Sequence, residues 1–307
     1  MKAKLFLLGL LVSTMTMVGQ TSNTTDATIS KRGWNFYVGG SYFGSVVATE
    51  FPTVNAKPAN SDVYVAGKLV SRESITGSFG EGFRYGGGVG YRFSDRFGVQ
   101  MSVNYYTSTD KTMVKTISDN VNVYESVGQI KALDLAPAAI FYLGEVKGFE
   151  SYSKVGIIVP VSGYLDIKTN AIVATSATTS SKIYSEDKIK PNPTLGFMAA
   201  LGTAYKIGGN FSVYGEIEYR NFTVHGKTKE KTAYTVDGND GFALTSPNPF
   251  ALTNSQINVN YVDQLTSTSN SKVTNAAGFD SSKPADDISS YVGISGLGLT
   301  FGLKYSL

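Results

Sequence analysis

His225 is the single histidine among 307 residues, and cysteine is absent. Thiolate catalysis, disulfides and cysteine metal sites are therefore excluded, and almost nothing is left for a histidine metal cluster. His225 has the chemistry to act as the base of a Ser-His-acid hydrolase. It stands, however, in Val224-His225-Gly226-Lys227, with no serine two residues on. It reads better as a solvated loop residue. Asp237-Gly238-Asn239-Asp240 lacks the spaced acidic ligands of a calcium loop and reads as a turn. The run GFRYGGGVG (82–90) is rich enough in glycine to suggest a phosphate cradle. A phosphate loop must open a helix, and no helical pattern follows. No catalytic residue, cofactor or metal ligand is expected.

The remaining charges of interest are Arg84, Asp134, Lys154, Glu216, Glu218 and Arg220. Each occupies the polar side of an alternating stretch. In FRYGGGVGYRF (83–93), Phe83, Tyr85, Val89, Tyr91 and Phe93 alternate with Arg84, Gly86, Gly88, Gly90 and Arg92. FGVQMSVNY, LGFMAALGTAY and the terminal LGLTFGLKYSL repeat the pattern. A period of two is that of a strand, whose side chains point to opposite faces in turn. These stretches reach the roughly 9–11 residues that a tilted strand needs to cross a bilayer. Apolar outside, polar inside, with turn residues between crossings, is the signature of a transmembrane β-barrel.

The spacing predicts an all-β, antiparallel barrel of eight strands over 33–47, 79–93, 97–108, 129–143, 149–165, 194–207, 211–223 and 291–307. Tight turns fall at Ser94-Asp95-Arg96, near Gly144–Gly148 and at Gly208-Gly209-Asn210. They alternate with long polar connections at 48–78, 109–128, 166–193 and 224–290. Short periplasmic turns and long extracellular loops place both termini in the periplasm. Strand-like runs at 62–70 and 256–265 raise a ten-stranded alternative. It would put the tight turns outside, so these runs read as extensions or hairpins above the membrane. Aromatics cluster near the turn end (Trp34, Phe36, Tyr91, Phe93, Phe97, Phe141, Tyr205, Phe211, Tyr305) and the loop end (Tyr42, Phe83, Tyr105, Tyr164, Tyr219, Tyr291). Such girdles sit at headgroup level. Pro137 and Pro160 would each interrupt a ladder and suggest bulges.

Bulk properties agree. Charged residues make up 17%, below the roughly 25% of soluble domains, and a net charge of +3 gives no case for nucleic acid. MKAKLFLLGLLVSTMTMVGQ has lysines before a short apolar run, the form of a secretory signal peptide over 1–19. A short periplasmic segment, 20–32, would separate it from the barrel at 33–307.

The alternating strands, with LDLAPAAIFYL (133–143), FSVYGEIEYR (211–220) and the final LKYSL, resemble the small eight-stranded outer-membrane β-barrel family typified by the OmpA transmembrane domain and OmpX. The resemblance implies a cell outer membrane protein, monomeric and surrounded by lipid. It also implies a C-terminal strand read by the barrel-insertion machinery, although Leu307 stands where the family commonly ends in an aromatic. A lumen this narrow is filled by side chains, and the family fills it with ionic networks. The six charges, joined by Tyr37 and Tyr214, are expected to form such a plug. The inward glycines 86, 88, 90, 296, 298 and 302 would make a low wall for large polar side chains. The expected function is a non-enzymatic envelope or surface-binding scaffold. The alternatives are a narrow small-solute or ion channel and a rim hydrolase. Phe242, Phe250, Ile257, Val259 and Tyr261 lie in the otherwise polar fourth connection and suggest a rim hairpin that contacts an extracellular or envelope ligand.

Overall fold

A computed structural model describes residues 32–192 and 194–307. The expected signal peptide, 1–19, and most of the expected segment 20–32 lie outside the described residues.

Eight strands close a ring: β1 (Gly33–Ser45), β2 (Gly82–Arg92), β3 (Phe97–Ser108), β4 (Val121–Val146), β5 (Phe149–Ala174), β6 (Gly196–Gly208), β7 (Phe211–Asn221) and β8 (Gly296–Ser306). Each pairs antiparallel with its neighbours in that order, and β8 returns to β1 with Gly39 opposite Gly302. Closure removes the free edges that would otherwise sit in hydrocarbon. No described helix is long and apolar enough to cross a membrane.

The outward face is apolar and exposed, as at Val99, Ile157, Ile217 and Leu299. The turn-end girdle is built of rings on adjacent strands: Trp34–Tyr91, Phe97–Phe141 and Phe211–Tyr305 have centroids 5.0, 5.1 and 5.0 Å apart. Tyr42–Phe83 forms a similar pair at the other end. Such contacts stabilise a sheet in addition to placing rings at the interface.

The long connections are mostly strand, in contrast to the polar loops expected from composition. β4 and β5 run 26 residues each. Beyond the ring they pair with Lys111–Ser118 and Ser180–Asn192, and the latter pairs with Thr223–Val236. The run at 62–70 lies in a hairpin of Asn60–Val65 and Lys68–Ser74 that joins this crown, and Asn258–Val262 extends it further. The stretch from 291 splits, with Tyr291–Gly293 pairing to Thr223–His225 before β8 begins. Low-complexity runs in the fourth connection are held by polar bonds. The Asn270 side chain alone donates to the carbonyls of Asp280 and Pro284 and accepts from the Asp280 amide. Pro160 coincides with a register shift between β4 and β5, as a proline-induced bulge requires. Pro137 does not: it keeps register opposite Met101, so the bulge expected there is absent.

Glu81 ties the crown to the ring. Tyr42 donates to one of its oxygens at 3.0 Å and the Lys111 ammonium to the other at 2.5 Å. The Lys111 bond, then the Tyr42 bond, hold its carboxyl below the usual range. A depressed carboxylate contributes stability above its unfolded pKa of about 4.3 and loses it as pH falls through the folded value. Backbone hydrogen exchange of residues 111–118, corrected for intrinsic rate, should therefore accelerate in acid below about pH 4. Glu81→Gln should flatten that dependence. A profile identical to wild type would remove the clamp.

Candidate functional site: a filled lumen and a side opening

Parity turns all six predicted charges inward, and the structure brings them into three buried pairs. Arg84 on β2 grips Glu218 on β7 with both terminal nitrogens, at 2.6 and 2.5 Å, and reaches Ser41 on β1 at 3.2 Å. Lys154 on β5 donates to both oxygens of Glu216 at 2.8 and 2.7 Å, and Tyr152 donates to the same carboxylate at 2.8 Å. Arg220 binds Asp134 on β4 at 2.7 Å, and Asn104 on β3 donates to the other oxygen at 2.9 Å. Every carboxylate oxygen at this level accepts at least one hydrogen bond, which is the condition for burying ionised groups at tolerable cost.

A second tier toward the periplasm was not anticipated. Glu150 accepts from Arg92 at 2.6 Å and from Lys304 at 3.2 Å. The Arg92 guanidinium lies 3.8 Å from the centre of the Tyr142 ring. All three residues share the inward parity already read for Arg84, Lys154 and Gly302.

The glycine wall is real, but aromatic side chains cover most of it. A Cβ on Gly302 would lie 2.2 Å from the Val38 carbonyl oxygen and 2.7 Å from Tyr214. One on Gly298 would lie 2.7 Å from the Phe43 ring. What remains open beside Arg84, Gly86 and Glu216 is a cavity of about 30 Å³, room for little more than water.

Above the charges the interior becomes apolar. Phe79, Met113, Ile158 and Phe222 are buried there, and the connection after β1 folds inward to add Phe51 and Val54. That connection was expected as a solvated loop. Its apolar residues instead cap the barrel mouth.

On one flank of β5 the described ladder is interrupted at this height. β5 pairs with β6 only as far as Ile158↔Gly196, and with Ser180–Asn192 only from Leu165↔Ile189 onward. Among the described residues, 159–164 thus have no ladder partner on that side. Pro191, opposite this stretch, has no N–H to give. A mainly apolar cavity of about 430 Å³ lies against the opening, walled by Tyr105, Leu133, Pro160, Val161 and Tyr164. A second, of about 50 Å³, reaches inward to Phe222, Val292 and Ile294. Both share Ser162, Gly163 and Pro191. Lys131, Lys188 and Lys190 line the outer one, with the Lys188 ammonium 4.4 Å from the Tyr164 ring centre. Exposed backbone polar groups are excluded from hydrocarbon but tolerated where they line a cavity. Lysines and a tyrosine belong at headgroup level.

His225 departs from the solvated loop residue expected. It lies on a strand with its side chain only 12% exposed, against Tyr291. Its Nδ1 is 3.0 Å from the Ser289 Oγ and 3.9 Å from Asp263. A catalytic triad needs the serine and the acid on opposite ring nitrogens. Here both approach Nδ1, and the Ser289 hydroxyl donates to the Gly226 carbonyl at 2.9 Å. The arrangement is structural.

The predicted contact hairpin is likewise revised. Val259 is buried, and Phe250, Ile257 and Tyr261 are only partly exposed. The strand that carries Val259 and Tyr261 pairs antiparallel with Thr223–Val236 and parallel with Ala285–Ile288, so both help to hold the crown together. Phe242 alone of the five stays exposed, at 40%.

A closed antiparallel ring with an apolar exterior, two aromatic girdles and a charged interior defines an integral β-barrel of the outer membrane. Residues 6–261 match the model of the outer membrane protein beta-barrel domain, and the chain belongs to that family. Among solved structures it is similar to the outer membrane protein OprG from Pseudomonas aeruginosa, at 10% identity and a TM-score of 0.38, over 90% of this chain and 96% of that one. Comparison with curated proteins gives no match.

Proposed function

We propose that the protein is a non-enzymatic conduit that passes small, mainly apolar solutes from the outside sideways through the wall and into the outer leaflet. The stretch 159–164, which among the described residues is paired on the β4 side alone and is flanked by apolar cavities, carries this reading. The axial path is opposed by physics. Desolvating a solute past two tiers of paired charges is costly, whereas an apolar solute loses nothing on meeting Phe222, Val292 and Ile294.

Ser162 is exposed and borders both cavities, so Ser162→Trp should fill the opening without disturbing the ladder. In cells with an intact outer membrane, the variant should slow uptake of the apolar fluorophore N-phenylnaphthylamine severalfold. Planar-bilayer conductance of the wild type should be small and unaltered by the substitution. Unchanged uptake in the variant would end the lateral reading. A large steady conductance in the wild type would favour an axial channel.

A further inference from the structure

The outer side cavity, about 430 Å³, is within the size range of small-molecule sites. Its lining carries Lys131, Lys188 and Lys190, and among the described residues no carboxylate lines it or the smaller cavity behind. Lys190 is exposed and the other two are half-buried. A lysine at such a place lays its stem along apolar surface and keeps its ammonium in contact with water. None of the three forms an ion pair with a described acid. Asp166 and Glu230 stand opposite Lys188 in the ladder. Lys131 stands instead opposite Tyr164 and Thr107, and Lys190 opposite Thr228. Two of the three cations thus have no acid across from them, and the lining is basic on balance. The rest of it is mainly apolar, with Leu133, Pro160 and Val161.

We propose that the solute this opening serves is an amphipathic anion: a carboxylate held by the lysines, on a single hydrocarbon chain that packs against Leu133, Pro160 and Val161. A neutral solute would leave the ammoniums without a counter-ion, and an organic cation would be repelled by them. Inorganic phosphate offers the charge without the chain. As an assignment of the solute this rests on the lateral reading; as a binding site it does not.

The full chain in phosphatidylcholine nanodiscs, with empty nanodiscs as reference, tests this by ligand-observed NMR and calorimetry. Octanoate should bind saturably, at least about tenfold more tightly than octanol or octylammonium, as expected for hydrogen bonds between charged groups. Lys188→Glu combined with Lys190→Glu should reverse the order of octanoate and octylammonium, which a merely structural role for these lysines would not do. Ser162→Trp should weaken octanoate by filling the cavity. A heat-modifiable gel shift identical to wild type establishes that each variant is folded. No octanoate binding, or binding equal to that of octanol, overturns the proposal. So does an unaltered order in the folded charge-reversed variant, or unaltered octanoate binding in folded Ser162→Trp. Competition by inorganic phosphate as strong as by octanoate would show that the chain plays no part, and overturns it too. So would displacement of octanoate by phosphatidylglycerol added to the nanodisc, which would give the lysines to bilayer lipid. The two readings fail separately. Fluorophore uptake slowed by Ser162→Trp without any preference for octanoate leaves a passage for neutral solutes and ends this inference. Lysine-dependent octanoate binding with unaltered uptake supports the site and ends the passage.

Discussion

Glu218→Ala is expected to lower the unfolding free energy by about 3–5 kcal/mol, the cost typical of stranding a buried charge. Glu218 is fully buried, and both of its oxygens are held by Arg84. Arg220 stands close behind, its Nε 3.8 Å from Glu218 and without a hydrogen bond of its own. Removing the carboxylate would leave Arg84 with only the hydroxyls of Ser41 and Thr300, and Arg220 with only Asp134. Urea titration in detergent micelles, followed by the heat-modifiable gel shift, measures the loss. Glu218→Gln keeps the volume and one acceptor and should cost less. If alanine and glutamine variants matched the wild type, the tier would be shown to be water-filled and its charges separately solvated.

Leu201→Arg is the second large effect. Leu201 lies on the outward face of β6, opposite Ile217. An arginine at the bilayer midplane costs about 2–4 kcal/mol in such barrels. Its sequence neighbour Ala200 points inward, buried opposite Glu218, where a serine can hydrogen-bond. Ala200→Ser should be nearly neutral in the same titration. Equal costs at the two positions would mean that the faces of β6 are reversed.

The ring was legible because each of its strands meets two contrasting solvents. Phe83 and Arg84, or Leu201 and Ala200, differ because one faces lipid and the other the lumen. The crown offers no such contrast. Ser180–Asn192 reads SSKIYSEDKIKPN: its three lysines share one face, but Ser181, Ser185 and Asp187 interleave with Ile183 and Ile189 on the other, so neither face is apolar throughout and composition suggests a loop. Within the ring, parity also marked Arg92, Glu150 and Lys304 as inward. They lie close to the turns, where strand ends are hard to place from sequence. Which charges pair is another matter. Arg84 and Glu218 are 134 positions apart, and only the curvature of the closed ring brings them within reach. The side opening was beyond sequence altogether. It depends on where β6 stops beside β5, and Pro160 and Pro191 signal an interruption without revealing that the two stand together.

At about 3.3 Å per residue, β4 and β5 are each some 85 Å long, against a hydrocarbon core of about 30 Å. They are joined through a tight turn at the periplasmic end and zipped together for most of their length. Mechanically this is one stiff lever standing in the membrane, with the crown at its long arm. Stiffness fails where the register slips between Pro160 and Ser162, level with the side opening. A load on the crown, from a docked molecule or from neighbouring surface polymer, will therefore bend the lever at its most compliant point. Spin labels at Asn122 and Glu145 would follow the two arms, and their separation should broaden under crown loading while labels confined to the membrane arm stay fixed.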